Sequence, residues 1–159
     1  MKWILRRTGV VWCLLAVAAQ AETTKVGAYT YTYRVVDGKA VIYNTDRYGN
    51  PSRAIEPRPQ GTLSLPSQIG GLPVSIGSYA IERNPGLTSV VIPKGVVSIE
   101  ALAFWNCDNL VSFSVAPDNP NYMSLDGVLY DKEKKMHELI IGRNTRKRYP
   151  YWGICVLCV

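Results

Sequence analysis

The apolar positions of this chain fall into one pattern written twice. Leu87-x-x-Val90-x-Ile92-Pro93 recurs as Leu110-x-x-Phe113-x-Val115, and Ile76-x-x-x-Ala80-Ile81 recurs as Ile99-x-x-x-Ala103-Phe104, each 23 positions on and without a gap. Val90 and Ile92 are two apart, so an extended chain places them on one face and sends Ser89 and Val91 to the other. Pro93 ends the strand because it has no N–H for a ladder. Val96-x-x-Ile99 opens a second apolar segment, and Ala80-Ile81 and Ala103-Phe104 read as short turns of α- or 3₁₀-helix. Self-similarity at one period marks a solenoid, whose units bury their apolar faces against their neighbours. The spacing therefore predicts a mainly β chain with short helical turns and stacks Leu87 on Leu110, Val90 on Phe113 and Ile92 on Val115. An ordinary antiparallel β domain with chance similarity would not keep register through both kinds of segment.

Leu87-Thr-Ser-Val-Val-Ile-Pro93 followed by Val96-Val-Ser-Ile-Glu-Ala-Leu-Ala-Phe-Trp-Asn-Cys107 closely resembles the BspA-like leucine-rich repeat of bacterial surface and secreted proteins. Gly70-Gly71-Leu72-Pro73-Val74, Asn119-Pro120-Asn121-Tyr122 and Asp126-Gly127-Val128-Leu129-Tyr130 are further signatures, and the resemblance covers roughly Tyr29 to Ile140. It implies a right-handed leucine-rich-repeat solenoid serving recognition or adhesion, with no catalytic residue to carry over. Cys107 falls where the family often buries a cysteine. The first copy has Asn84 there, which makes the position structural filler.

The flanks complete the expected organisation of residues 22–141. Tyr29 to Tyr43 alternates Tyr and Thr, then turns on Asp37-Gly38, the favoured dipeptide of a two-residue hairpin. That hairpin (29–43) is expected to cap the N-terminal end, although its tyrosine row could also serve as a carbohydrate- or protein-binding strip. Asn44 to Gln60, with three prolines and a glycine, reads as a loop. Thr62-Leu63-Ser64-Leu65-Pro66 opens a degenerate repeat (61–75) that precedes Ile92-Pro93 by 27 positions, a 23-residue period with four residues inserted around Ile69 to Leu72. Repeats 76–98 and 99–121 follow, then a hairpin over 122–141 with its charged turn at Asp131 to Lys135 and Leu139-Ile140-Ile141 returning. Two good repeats and a partial one are near the minimum for a stable array.

Residues 1–21 read as a secretory signal peptide: Lys2, Arg6 and Arg7, an apolar run from Val10 to Ala18, and Ala19-Gln20-Ala21 as the cleavage site. The apolar run is shorter than the about 20 residues a bilayer span needs, so no stable membrane span is expected once it is removed. Cleavage leaves Cys107, Cys155 and Cys158, an odd number that argues against a disulfide framework. Cleavage also removes three of the 18 basic residues and none of the 12 acidic ones, so net charge falls from +6 to +3. From Glu22 to Asp131 there are 8 Lys/Arg against 10 Asp/Glu, and from Lys132 to Val159 there are 7 against 2. The near-neutral body gives no electrostatic case for nucleic acid.

Residues 142–159 have no repeat pattern. Arg143, Arg146, Lys147 and Arg148 could form a patch for nucleic acid, a membrane surface or a proteoglycan, and Cys155-x-x-Cys158 a metal or redox pair. Structural zinc takes four ligands where this pair supplies two. Read one nucleotide out of frame, the codons from Asn144 to Leu157 can spell Ile-Pro-x-Ser-Val-Thr-x-Ile-Gly-x-Tyr-Ala-Phe, the start of another such repeat. We therefore expect an out-of-frame tail on a truncated array, and self-association through an uncapped C-terminal end.

The sequence offers no enzyme signature and calls for no cofactor or metal. His137, the one histidine, reads as a solvated strand residue, and neither a nucleophile–base pair nor a glycine-rich phosphate loop is present. The expectation is a secreted or surface-displayed module that contacts a protein or glycan partner through Thr62, Ser64, Thr88, Val91, Val111 and Ser114, the strand residues facing away from the core. The alternative is a non-binding spacer within a larger surface protein.

Overall fold

A computed structural model describes residues 21–44 and 53–132. Within them the chain forms β1 (Glu22–Val26), β2 (Tyr29–Val36), β3 (Lys39–Ile42), β4 (Ile55–Glu56), β5 (Gly61–Ser64) and β6 (Gln68–Ile69). It continues with β7 (Leu72–Ile76), β8 (Leu87–Ile92), β9 (Val96–Ile99), β10 (Ser112–Val115), β11 (Tyr122–Leu125) and β12 (Val128–Asp131).

Two parallel ladders carry the repeat. In one, β5, β8 and β10 align Leu63 with Val90 and Val90 with Phe113. In the other, β3, β7 and β9 align Ile42 with Ile76 and Ile76 with Ile99. The pairs Val90–Phe113, Ile92–Val115 and Ile76–Ile99 each step 23 residues, so the period in the sequence is the register of the sheets. Leu63, Val90, Phe113, Ile42, Ile76, Leu87 and Leu110 are all buried in one cluster. A fully buried side chain of this size contributes about 1.5–3 kcal/mol. Phe104 meets Phe113 edge to face at 5.3 Å, an arrangement aromatic quadrupoles favour.

The expected helical turns do not form; no helix occurs among the described residues. Bonds such as Ala80 N–H to Gly77 O (3.2 Å) and Trp105 N–H to Leu102 O (3.0 Å) close single turns. Tyr79 and Leu102 then take φ of 59° and 62°, and Arg83 and Asn106 take 50° and 59°, left-handed values that stop a right-handed helix from propagating. The amides of Ile81 and Arg83 are given instead to Ala103 O (2.9 Å) and Trp105 O (2.8 Å) of the following repeat. Each left-handed position lies 23 residues from its counterpart, so the period is written in backbone conformation as well as in side chains.

Around Asp37-Gly38, with φ of 49° and 71°, β2 and β3 form a hairpin, and β3 joins β7 in parallel. Tyr31 and Tyr33 are buried in the core, so the tyrosine row is not a strip open to solvent. Beyond it lies β1, a strand the sequence reading omitted, antiparallel to β2 and tied to it by the Tyr33 hydroxyl donating to Glu22 Oε2 at 2.7 Å. The four-residue excess of the first repeat is itself a hairpin. In it β6 pairs with β7 about Gly70-Gly71, at φ of 59° and 77°.

At the other end β11 pairs antiparallel with β12 about Asp126-Gly127, at φ of 52° and 80°. The turn thus falls earlier than the expected 131–135, because a two-residue turn with both φ positive suits Asp-Gly. The leader, His137, the Leu139–Ile141 return, Cys155-x-x-Cys158 and the tail lie outside the described residues. No helix among the described residues is long and apolar enough to cross a membrane.

Candidate recognition surface

The outer face of the β5–β8–β10 sheet presents the six residues singled out from sequence. Ser64, Val91 and Ser114 stand in one register row across the three strands. Thr62 heads a second row, continued by Ser89 and Ser112, whose hydroxyls bond each other at 2.9 Å. Those two serines were left out of the sequence-based set, although Ser89 lies two residues from Val91 and so shares its outward face. Thr88 and Val111 sit just before the regular rows, joined by Val111 N–H donating to Thr88 O at 3.0 Å. Thr62, Ser64, Thr88, Val111 and Ser114 are exposed and Val91 is half-buried. Val111 is 66% exposed, while its neighbour Leu110 is 2% exposed. The rows contain no charged side chain. Lys94–Asp118, at 3.6 Å and beyond the strand ends, is too exposed to contribute much.

Closure of the sheet edges holds this face in place. The outer edge of β9 is met by side chains. Ile99 N–H donates to the Tyr122 hydroxyl at 2.8 Å, Asn121 Nδ2 donates to Val97 O at 2.8 Å, and Asn119 Nδ2 donates to Pro93 O at 2.8 Å and Val96 O at 3.2 Å. Asn119 Oδ1 in turn accepts the amides of Asn121 and Tyr122, both at 2.9 Å. Asn119-Pro-Asn-Tyr122 therefore stands in for a further strand. The edge of β10 is met by the last hairpin, with Phe113 N–H donating to Gly127 O at 2.8 Å and Val115 N–H donating to Ser124 Oγ at 3.1 Å. The expected uncapped C-terminal end is thus closed on both ladders up to Lys132.

The titratable groups of the interior do not reach this face. Burial, ahead of any neighbouring charge, pushes the Cys107 thiol up from its ordinary 9.0, and its Sγ donates to Ile81 O at 2.9 Å. Tyr31 is pushed up to about 12, first by burial and then by Tyr29. Among the described residues no group of three His, Cys, Asp or Glu could hold a metal ion. Arg53, Arg58, Asn44 and Asn84 line a small depression that includes none of the six surface residues.

The geometry describes a protein of stacked parallel strands in a 23-residue register. No family model and no curated protein matches the chain. Among solved structures it is similar to a leucine-rich repeat protein from Eubacterium ventriosum ATCC 27560, with 29% identity and a TM-score of 0.39. The match covers 45% of this chain and 18% of that one, so the chain spans less than a fifth of that protein's length.

Proposed function

We propose that this chain is a secreted or surface-displayed recognition module of the BspA-like leucine-rich repeat kind, wound as a right-handed solenoid. It makes protein–protein or adhesive contacts and performs no catalysis. The observation that carries this reading is the outer face of the β5–β8–β10 sheet: an uncharged set of exposed and half-buried hydroxyl and methyl groups that the core does not use. Such a face suits shape-matched contact with a neutral protein or glycan surface better than charge-led capture of nucleic acid.

Export rests on the leader pattern of residues 1–21, and the exported product should begin at Glu22 by mass spectrometry. The contact role is tested with immobilised chain and intact cells or extracellular-matrix proteins. Val111→Lys with Ser114→Lys should weaken binding about tenfold or more, because both lysines must be desolvated in the contact. Lys25→Ala, on β1, should leave binding unchanged. Binding indifferent to the paired lysines would sink the assignment of the face and favour a spacer.

A further inference from the structure

The two parallel ladders present four outer edges. Side chains of Asn119, Asn121 and Tyr122 close β9, and the last hairpin closes β10. Beyond β3 the sheet continues through β2 to β1, whose edge carries Glu22 and Lys25. Charges of this kind discourage pairing with another strand. Among the described residues, β5 is the one of these four edges left both open and uncharged.

Gly61 N–H donates to Gly86 O and Leu65 N–H donates to Val91 O, so residues 61, 63 and 65 point their backbone groups towards β8. Thr62 and Ser64 therefore point theirs away, and both residues are exposed. Among the described residues no strand pairs with that side, where the sheet ends. Gly61–Ser64 contains neither charge nor proline, the usual guards of a bare edge.

We propose that β5 pairs antiparallel with β5 of a second copy of this chain, about a two-fold axis at Leu63. The outward groups sit one residue either side of that axis. Thr62 then faces Ser64 of the second copy, Ser64 faces its Thr62, and each pair exchanges two backbone bonds. Hydroxyl meets hydroxyl on the outer face and no charges oppose, while Leu63 stays in the core of its own copy. The three-stranded sheet becomes one continuous sheet of twice the width. The joint lies at β5, not at the C-terminal end where self-association was expected. It does not depend on what the outer face binds.

Sedimentation equilibrium of the whole chain should give a concentration-dependent dimer. Thr62→Lys with Ser64→Lys sets lysine against lysine across the axis and should raise the dissociation constant about tenfold. Thr62→Lys with Ser64→Glu sets lysine against glutamate and should return it close to the original value. Both sites are exposed, and far-UV circular dichroism checks that each variant stays folded. Amide exchange at Thr62 and Ser64 should slow as concentration rises, while exchange in β1 should not. A monomer at every concentration, a dimer indifferent to the paired lysines, no recovery in the Lys/Glu variant, or protection appearing at β1 instead would each overturn the proposal.

Discussion

The edges of β9 and β10 are closed by different means, although they end neighbouring ladders of the same array. On β9 the partners are side chains, two amides and a phenol, reaching backbone groups that a further strand would otherwise meet. On β10 one partner is a carbonyl of the hairpin backbone and the other a serine hydroxyl. Side-chain closure depends on individual residue types and can be broken one substitution at a time. Backbone closure survives most substitutions and fails only when the turn itself is strained.

This contrast can be tested in order of expected effect. Asn119→Ala removes donors to Pro93 O and Val96 O and the acceptor for two amides. It should cost about 2–4 kcal/mol in a denaturant titration, since buried groups are left unpaired. Tyr122→Phe leaves Ile99 N–H without an acceptor and should cost about 1–3 kcal/mol, with faster amide exchange at Ile99 as the local readout. On the β10 side, Gly127→Ala meets φ of 80° and places a Cβ 3.2 Å from Ser112 Cβ, which should cost about 1 kcal/mol or somewhat more. Ser124→Ala removes one bond to Val115 N–H and should cost about 0.5–1 kcal/mol by thermal unfolding. A loss from Gly127→Ala, at the backbone closure, as large as that from Asn119→Ala would erase the distinction between the two edges.

The smallest effect is in pH dependence. The buried Cys107 holds its proton more tightly folded than unfolded, so its contribution is fully present below its ordinary pKa of 9.0. It is lost as pH rises past that value towards the raised folded one. Cys107→Ala should therefore flatten the fall in stability just above pH 9, leaving the later fall from Tyr31, whose pKa is about 12.

Strands were legible where side chains alternate visibly. Leu87-x-x-Val90-x-Ile92 shows its buried face through spacing alone, and Asp37-Gly38 names its own turn. Asp126-Gly127 carries the same turn dipeptide, just ahead of the more charged stretch at 131–135. β1 has good strand residues in Thr23, Thr24 and Val26, but as a short, largely exposed edge strand it shows no alternating buried face. The turns were misread for a deeper reason: Tyr79 and Leu102 adopt left-handed backbone without the glycine or asparagine that would announce it. The two positions are joined across the repeats, Tyr79 N–H donating to Leu102 O at 3.2 Å, a contact that no local pattern records. Closure of β9 is similarly non-local. Asn119-Pro-Asn-Tyr122 could be read as a turn, but not as the partner of Val96, Val97 and Ile99.

The Gly70-Gly71 hairpin has an evolutionary consequence. Four extra residues enter the first repeat there, yet the strands before and after it keep their partners, Leu63 with Val90 and Val74 with Val96. Length can therefore change at this corner without loss of pairing on either side. That makes it a natural splice point, where a lineage or an engineer can graft a longer loop while inheriting the ladders intact.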